Sequence, residues 1–260
     1  MGCAVRQEGW RGWVLAGKTA AMLSLDRQNA FRRQYQAIRP NYRPATEIYA
    51  DLVRQQLTTT SRLLDIGCGR GGLVEQLDHP VAQIVGVDPD PVSLTEHRLG
   101  IPRAVSLGRL PFPDGTFDVA FASWVLEHWE HPARELAEIG RVLRPNGCFI
   151  FITPNKLHPL IRVNQLLGSM SAVQDQLVKW LYGRAEDDTF PIWYRANNRQ
   201  QLVDSVGNNQ LRLELLQEIE DPTYLAFTPQ LFRLNVRLEP FIPQQAKLHL
   251  VGLLRKDSVG

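Results

Sequence analysis

Residues 63–72 read LLDIGCGRGG. A short apolar run ends in a glycine turn, and Gly67, Gly69 and Gly72 fit the spacing G-x-G-x-x-G. Glycine lets the backbone turn sharply and lets a ligand come close to exposed N–H groups. Such a loop suits a nucleotide-bearing cofactor, but the glycines alone do not say which. Asp65 sharpens the choice. It stands two residues before Gly67, inside an otherwise apolar strand. The pyrophosphate of a dinucleotide would be repelled by a carboxylate there, whereas a ligand with an ammonium group would be held.

Outward from this loop the chain alternates. Strand-like runs at 62–67, 82–88, 116–123 and 147–154 are separated by helix-like runs at 71–79, 89–100 and 133–145. That order predicts a parallel sheet with helices on both faces. Two helices, 26–38 and 45–57, precede it, and Ile48, Leu52 and Leu57 share one face of the second. Past Pro154 the spacing predicts helix over 156–182 and loop over 183–194. A helix follows over 196–207, with Asn197 or Asn198 as N-cap and Gly207 as terminator. Strands at 211–219 and 247–256 flank a helix at 227–241 and predict an antiparallel edge. Asp88 ends the second strand, where an acid can accept hydrogen bonds from both ribose hydroxyls of either cofactor class.

The 260 residues suit one domain, with 44% hydrophobic and 22% charged residues. Residues 1–21 are expected to form a poorly ordered extension and 22–260 a single domain. Within it, 45–155 would be the cofactor-binding core, 156–195 a helical cap, and 196–260 a C-terminal helix with edge strands. A net charge of +2 gives no pull toward nucleic acid. Cys3, Cys68 and Cys148 form neither a disulfide framework nor a zinc pattern, which points to a reducing, cytoplasmic setting. Glu8, Arg11 and Lys18 interrupt the N-terminal apolar character, and Arg6 stands where a myristoylation motif wants Ser or Thr.

Two further stretches are more particular: LPFPDGTFDVAFASWVLEHWEHP (110–132) and EIGRVLRPNGCFIFITPN (138–155). With LDIGCGRG and VGVD before them, they resemble the class I S-adenosylmethionine-dependent methyltransferases, in the small-molecule branch that includes quinone-biosynthesis enzymes. The resemblance covers residues 45–155 well and the tail less securely. It implies a Rossmann-like α/β fold: a mostly parallel seven-stranded sheet with an antiparallel edge, helices on both faces, and a helical lid.

The resemblance also implies roles. Asp65 and the backbone of Gly67, Cys68 and Gly69 would hold the methionine end of S-adenosylmethionine, with no chemistry at the Cys68 thiol. Asp88 would bind the ribose and Pro89 would pack on the adenine. Ser106 and Leu107 would reach the adenine edge, where family members often carry Asp in a G-D-A arrangement. Ser123 and Trp124 would lie beside the methionyl moiety.

Methyl transfer from a sulfonium needs no Lewis acid, so His128 and His131 in LEHWEHP are not read as metal ligands. A base is needed only if the acceptor must lose a proton. His128, His158 and Tyr194 are the candidates. Trp180, Tyr182, Phe190, Trp193 and Tyr194 suggest a lid over a partly apolar small-molecule acceptor such as a lipid, quinone, polyketide or glycosylated product; a cap that only completes the core is the plainer alternative. Lys156, Arg162, Lys179 and Arg184 leave a peripheral membrane contact open, beside the plainer reading of a solvated face. The competing classes are a nicotinamide-dependent oxidoreductase and a non-catalytic methyltransferase-like binding protein. The oligomeric state is not legible.

Overall fold

A computed structural model describes residues 25–101, 103–104, 108–168, 190–207, 210–224 and 226–258. The expected extension 1–21, Ser106 and Leu107, and the expected cap between 169 and 189 lie outside the described residues.

Seven strands form one sheet. They are β1 (Leu63–Ile66), β2 (Ile84–Val87), β3 (Arg103–Ala104), β4 (Phe117–Ser123), β5 (Leu143–Pro154), β6 (Leu211–Ile219) and β7 (His249–Lys256), in the order β3-β2-β1-β4-β5-β7-β6. Pairing is parallel from β3 to β5, while β7 runs antiparallel to both β5 and β6. The strand order reverses between β1 and β4, and the space beyond their C-terminal ends is the usual ligand position in such sheets.

Side chains alternate between the two faces along each strand. Leu63, Val119, Phe121, Ile150 and Val251 pack with Tyr49 and Val53 of α2 (Ala45–Gln56). Leu64, Ala120, Phe149 and Leu254 pack with Leu136 and Ile139 of α4 (Pro132–Val142) and Leu202 of α6 (Arg199–Val206). Helices therefore cover both faces. The α2 face matters most here, because Asp65 and Ser123 fall in the same alternation as Leu63 and Phe121.

The remaining helices are α1 (Leu25–Ile38), α3 (Pro91–Thr95), α5 (Pro159–Gly168) and α7 (Pro229–Leu238). Asn198 is the N-cap of α6, its side chain accepting the Gln201 N–H at 2.8 Å. Thr228 caps α7 in the same way through the Leu231 N–H. No helix among the described residues is long and apolar enough to cross a membrane.

Two expected helices are corrected. Residues 71–79 hold only a 3-10 turn, Leu73–Gln76. Gly71 sits at φ +120, outside helical space, and Pro80 biases His79 toward extended backbone. No helix N-terminus therefore faces the glycine loop, and its backbone N–H groups act alone. The run 89–100 yields only the five residues of α3, capped by Asp90. His97 Nδ1 accepts the Leu99 N–H, and Arg98 donates its N–H to the Arg70 carbonyl, so neither group continues the helix. The helix expected to stop at Pro145 ends at Val142, since Leu143 is already extended and pairs with Phe117. The strand missing from the six legible ones is β3, two residues long.

Candidate active site

The candidate site is built from the ends of β1 and β4. Asp65 is buried on the α2 face, between its register partners Gly86 and Phe121. Its carboxyl has no hydrogen-bond partner among the described residues. Burial, together with the nearby Asp88 charge, pushes it up to about 7. An ionised carboxylate held this way lacks a cation, so the site fits a ligand that brings an ammonium group.

The glycine loop turns directly above. Gly67 sits at φ +71 and Gly69 at φ +48, both in the left-handed region. A Cβ on Gly67 would overlap Val125 Cγ2. The Gly67 and Cys68 N–H groups bond the Val87 carbonyl at 2.8 and 3.1 Å, which ties the loop to β2. Asp88, buried at the end of β2, accepts the Gly69 N–H at 2.9 Å and the Asp90 N–H at 2.8 Å through different oxygens. Each oxygen keeps a lone pair for a further donor. Pro89 follows it and is exposed.

Cys68 has a packing role. It is buried, and a Cβ on Gly86 would lie 2.6 Å from its sulfur, so the small thiol and the strand glycine fit each other. Cys68→Ala is expected to cost about 1 kcal/mol of stability and to leave cofactor affinity unchanged; a calorimetric titration of the variant checks this.

β4 ends in a second feature. Trp124 has φ +60, a conformation that bulky residues rarely take, and its N–H bonds the Ile152 carbonyl at 2.9 Å. Such an outlier marks a position fixed by its surroundings. Ser123 donates its hydroxyl to the Tyr49 hydroxyl at 3.1 Å. Tyr49 is buried, and its phenol is held well above the usual range by burial and by Asp65. The structure thus gathers Asp65, Tyr49 and Ser123 on one face. Tyr49 was missed in the sequence; its place one turn from Ala45 and Val53 on α2 was the available signal.

The sequence-selected candidates for a base are placed as follows. His128 Nδ1 bonds the Pro191 carbonyl at 2.9 Å, so that nitrogen carries the proton and is occupied. His158 is buried, and burial, with His249 and Lys247 nearby, lowers it to about 4; its Nδ1 accepts the Leu160 N–H. Tyr194 is buried with Ile161, Leu248 and Tyr224, and burial raises its phenol well above the ordinary range. Glu127 is also raised by burial and accepts the Thr153 hydroxyl at 2.9 Å. Asn197 in turn donates to Thr153 at 2.7 Å, so Asn197 braces β5 rather than capping the helix.

A polar group packs against Trp124. The His249 ring lies edge-on to Trp124, with centroids 5.2 Å apart, and its Nε2 is 3.4 Å from Asp221 Oδ2. Burial of Asp221 opposes its ionisation, but His249, Arg32 and Thr223 outweigh it and hold the carboxyl at about 2. Behind this pair, Tyr35 donates to Glu220 at 2.6 Å, and Lys247 bridges Glu239 at 2.8 Å and Glu220 at 3.4 Å. Tyr35 and Tyr42 are core residues of α1 and its following turn.

Comparison with known proteins agrees with this geometry. The methyltransferase domain family matches residues 64–151. A Mycolicibacterium smegmatis protein named "Probable S-adenosylmethionine-dependent methyltransferase" is 33% identical over 99 residues, which span 36% of this chain and 38% of that protein. The trans-aconitate 2-methyltransferase of Methylobacterium nodulans is 35% identical over 133 residues, spanning 46% of this chain and 49% of the relative. The matched stretches thus cover less than half of these relatives' own lengths.

Among solved structures, the geranyl diphosphate C-methyltransferase of Streptomyces coelicolor A3(2), in complex with Mg2+, geranyl diphosphate and S-adenosyl-L-homocysteine, superposes with a TM-score of 0.55 at 13% identity. That match covers 91% of this chain and 83% of that one, and it carries the fold. The matched segment spans the glycine loop, Asp88 and the end of β4, and over it the chain is similar to the methyltransferase domain family and to S-adenosylmethionine-dependent methyltransferases.

Proposed function

We propose that this protein transfers the methyl group of S-adenosylmethionine to a small, partly apolar acceptor by direct displacement. The observation that carries the reading is Asp65: a buried carboxyl without a cation, at the reversal point of the sheet, under a left-handed glycine turn. Asp65 and the Gly67–Gly69 backbone would hold the amino-acid end, and Asp88 the ribose. Pro89, Ser123 and Trp124 would line the remainder, with Ser106 and Leu107 at the adenine edge. When bound, S-adenosylmethionine supplies an electrophilic methyl on a sulfonium. The chain's own part is to hold the two reactants in line and keep water out, which is worth roughly 7–11 kcal/mol in well-oriented systems.

Phe190, Ile192 and Trp193 support the apolar character of the acceptor. All three are exposed, on a segment anchored to the site by the Trp193 and Tyr194 N–H groups, which bond the Glu127 carbonyl at 2.8 and 3.1 Å. We take 22–260 as one domain, with the core at 45–155 and a cap at 156–195. Cys68 and Cys148 are buried and form no disulfide among the described residues, which suits a cytoplasmic setting.

Calorimetry with S-adenosylhomocysteine against NADH tests the assignment: the former is expected to bind at one site, and binding of NADH alone would overturn the reading. Affinity is also expected to depend on pH. Asp65 must be ionised to pair with the ligand's ammonium group, so binding should weaken as pH falls below about 7. A titration at pH 6 and pH 8 measures the difference.

A further inference from the structure

We infer that His249, held by Asp221, is the base that accepts a proton from the methyl acceptor, and that the acceptor presents an O–H or N–H group at the atom methylated. The inference rests on the methyltransferase reading above.

Topology brings the pair to the site. Because β7 runs against its neighbours, its first residue reaches the sheet edge where β1, β4 and β5 end. His249 is in register with Pro154 of β5 and with Ile219 of β6. The turn after Ile219 carries Asp221 to the same edge. Alternation with Val251 and Leu253, which pack on the α2 side, puts His249 on the face of Asp65 and Ser123. Its ring is 6% exposed and lies against Trp124 and, at 6.3 Å between centroids, Tyr224.

The hydrogen bonds set the roles of the two ring nitrogens. Asp221 is fixed by the Thr223 N–H at 3.0 Å, by the Thr223 hydroxyl, and by Arg32 at 3.4 Å. An ionised carboxylate only accepts, so the neutral ring must carry its proton on Nε2. Nδ1 is then left with a lone pair. Nδ1 is buried and has no hydrogen-bond partner among the described residues. A buried acceptor without a donor is costly to the fold, and a donor on a ligand would satisfy it. The imidazoles of His128 and His158 differ in this respect, because the Nδ1 of each is already engaged. The charged and titratable groups around His249 are Asp221, Glu127 in the turn after β4, His158 before α5, and Tyr224, with Arg32 and Lys247 behind them.

The step balances without a further reagent. The acceptor's oxygen or nitrogen forms a bond to the methyl carbon, and the carbon–sulfur bond breaks with its electron pair moving to sulfur. The acceptor's proton passes to His249 Nδ1, and the resulting imidazolium is stabilised by the Asp221 carboxylate until solvent takes the proton. A carboxylate acceptor carries no proton at neutral pH and would need no such base. The pair therefore favours a phenol, alcohol, enol or amine.

Nitrogen-15 NMR of the full chain, labelled at histidine and saturated with S-adenosylhomocysteine, tests the arrangement. The His249 ring, identified by the signals lost in His249→Gln, should show a protonated Nε2 and an unprotonated Nδ1 at pH 8, a tautomer shared by His97 and His158, whose Nδ1 atoms accept backbone N–H groups. Asp221→Asn should release this fixed tautomer into a mixture while S-adenosylhomocysteine still binds, and should slow transfer to protic acceptors as His249→Gln does, which a purely structural pair would not. With radiolabelled S-adenosylmethionine, His249→Gln should slow transfer to protic acceptors by about 10²–10⁴-fold. A His249 ring protonated at Nδ1 at pH 8 overturns the inference. So does label entering trans-aconitate at a rate unchanged in His249→Gln. Failure to bind S-adenosylhomocysteine would instead overturn the underlying reading.

Discussion

Replacing Asp65 with Asn is expected to make the empty protein more stable at pH 8 and to weaken S-adenosylhomocysteine binding by about 10²–10³-fold, the range for breaking a buried charge pair. The two effects have opposite signs because the carboxylate is costly until a cation meets it. Its carboxyl is raised from 3.8 to about 7 in the fold. Each pH unit of such a shift corresponds to about 1.4 kcal/mol, so ionising Asp65 in the empty site costs on the order of 4 kcal/mol. The folded state holds this proton more tightly than the unfolded chain. The cost is therefore absent below the unfolded value, grows through the interval between them, and is complete above the folded value. The advantage of Asp65→Asn in thermal melts should accordingly be largest at pH 8 and fade toward pH 4. A variant that loses stability at pH 8 while binding normally would show that Asp65 is only a structural residue.

Gly67→Ala should cost about 2–4 kcal/mol, from a left-handed backbone penalty of about 1–2 kcal/mol plus a core overlap of similar size. The residue sits at φ +71, and the new Cβ would strike Val125 Cγ2 in the segment after β4. Relief of that overlap would move the loop or the end of β4, so cofactor affinity should fall at least about tenfold, as expected for a binding geometry that tolerates little displacement. Two comparisons separate the contributions. Val125→Ala added to Gly67→Ala should restore the overlap part and leave the backbone part. Gly69→Ala, at φ +48 with nothing near its Cβ, should cost only the backbone part, about 1–2 kcal/mol. Melting temperatures of the three variants check the series. Equal losses at Gly67 and Gly69 would contradict the packing of the loop against Val125.

Much of the fold was legible because it rests on local patterns. Apolar runs ended by glycine or an acid marked β1, β2, β4 and β5, and the late alternating runs marked β6 and β7. The helices that failed depended on side-chain competition no pattern reveals: His97 Nδ1 taking the Leu99 N–H, and Gly71 leaving helical space. Strand β3 is too short to show a period.

The site divides in the same way. Asp65, the glycines, Asp88 and Ser123 lie within two residues of strand ends that the sequence marks, so their convergence follows from the parallel order. Tyr49, Asp221 and His249 come from α2 and the antiparallel edge. Only the register of β7 against β5 and β6 brings the last two to Trp124. A histidine in KLHLVGLLRK reads as one more strand residue until that register is known.

On the proposed function, Asp65 waits, partly protonated, for the ammonium group of a sulfonium amino-acid nucleotide. Titrating the full chain with S-adenosylhomocysteine at pH 6.5, in two buffers of different ionisation enthalpy, tests it most directly. Binding at one site with net release of a proton is expected, and loss of that release in Asp65→Asn. Binding with no proton released, or with the same release in the variant, would contradict it.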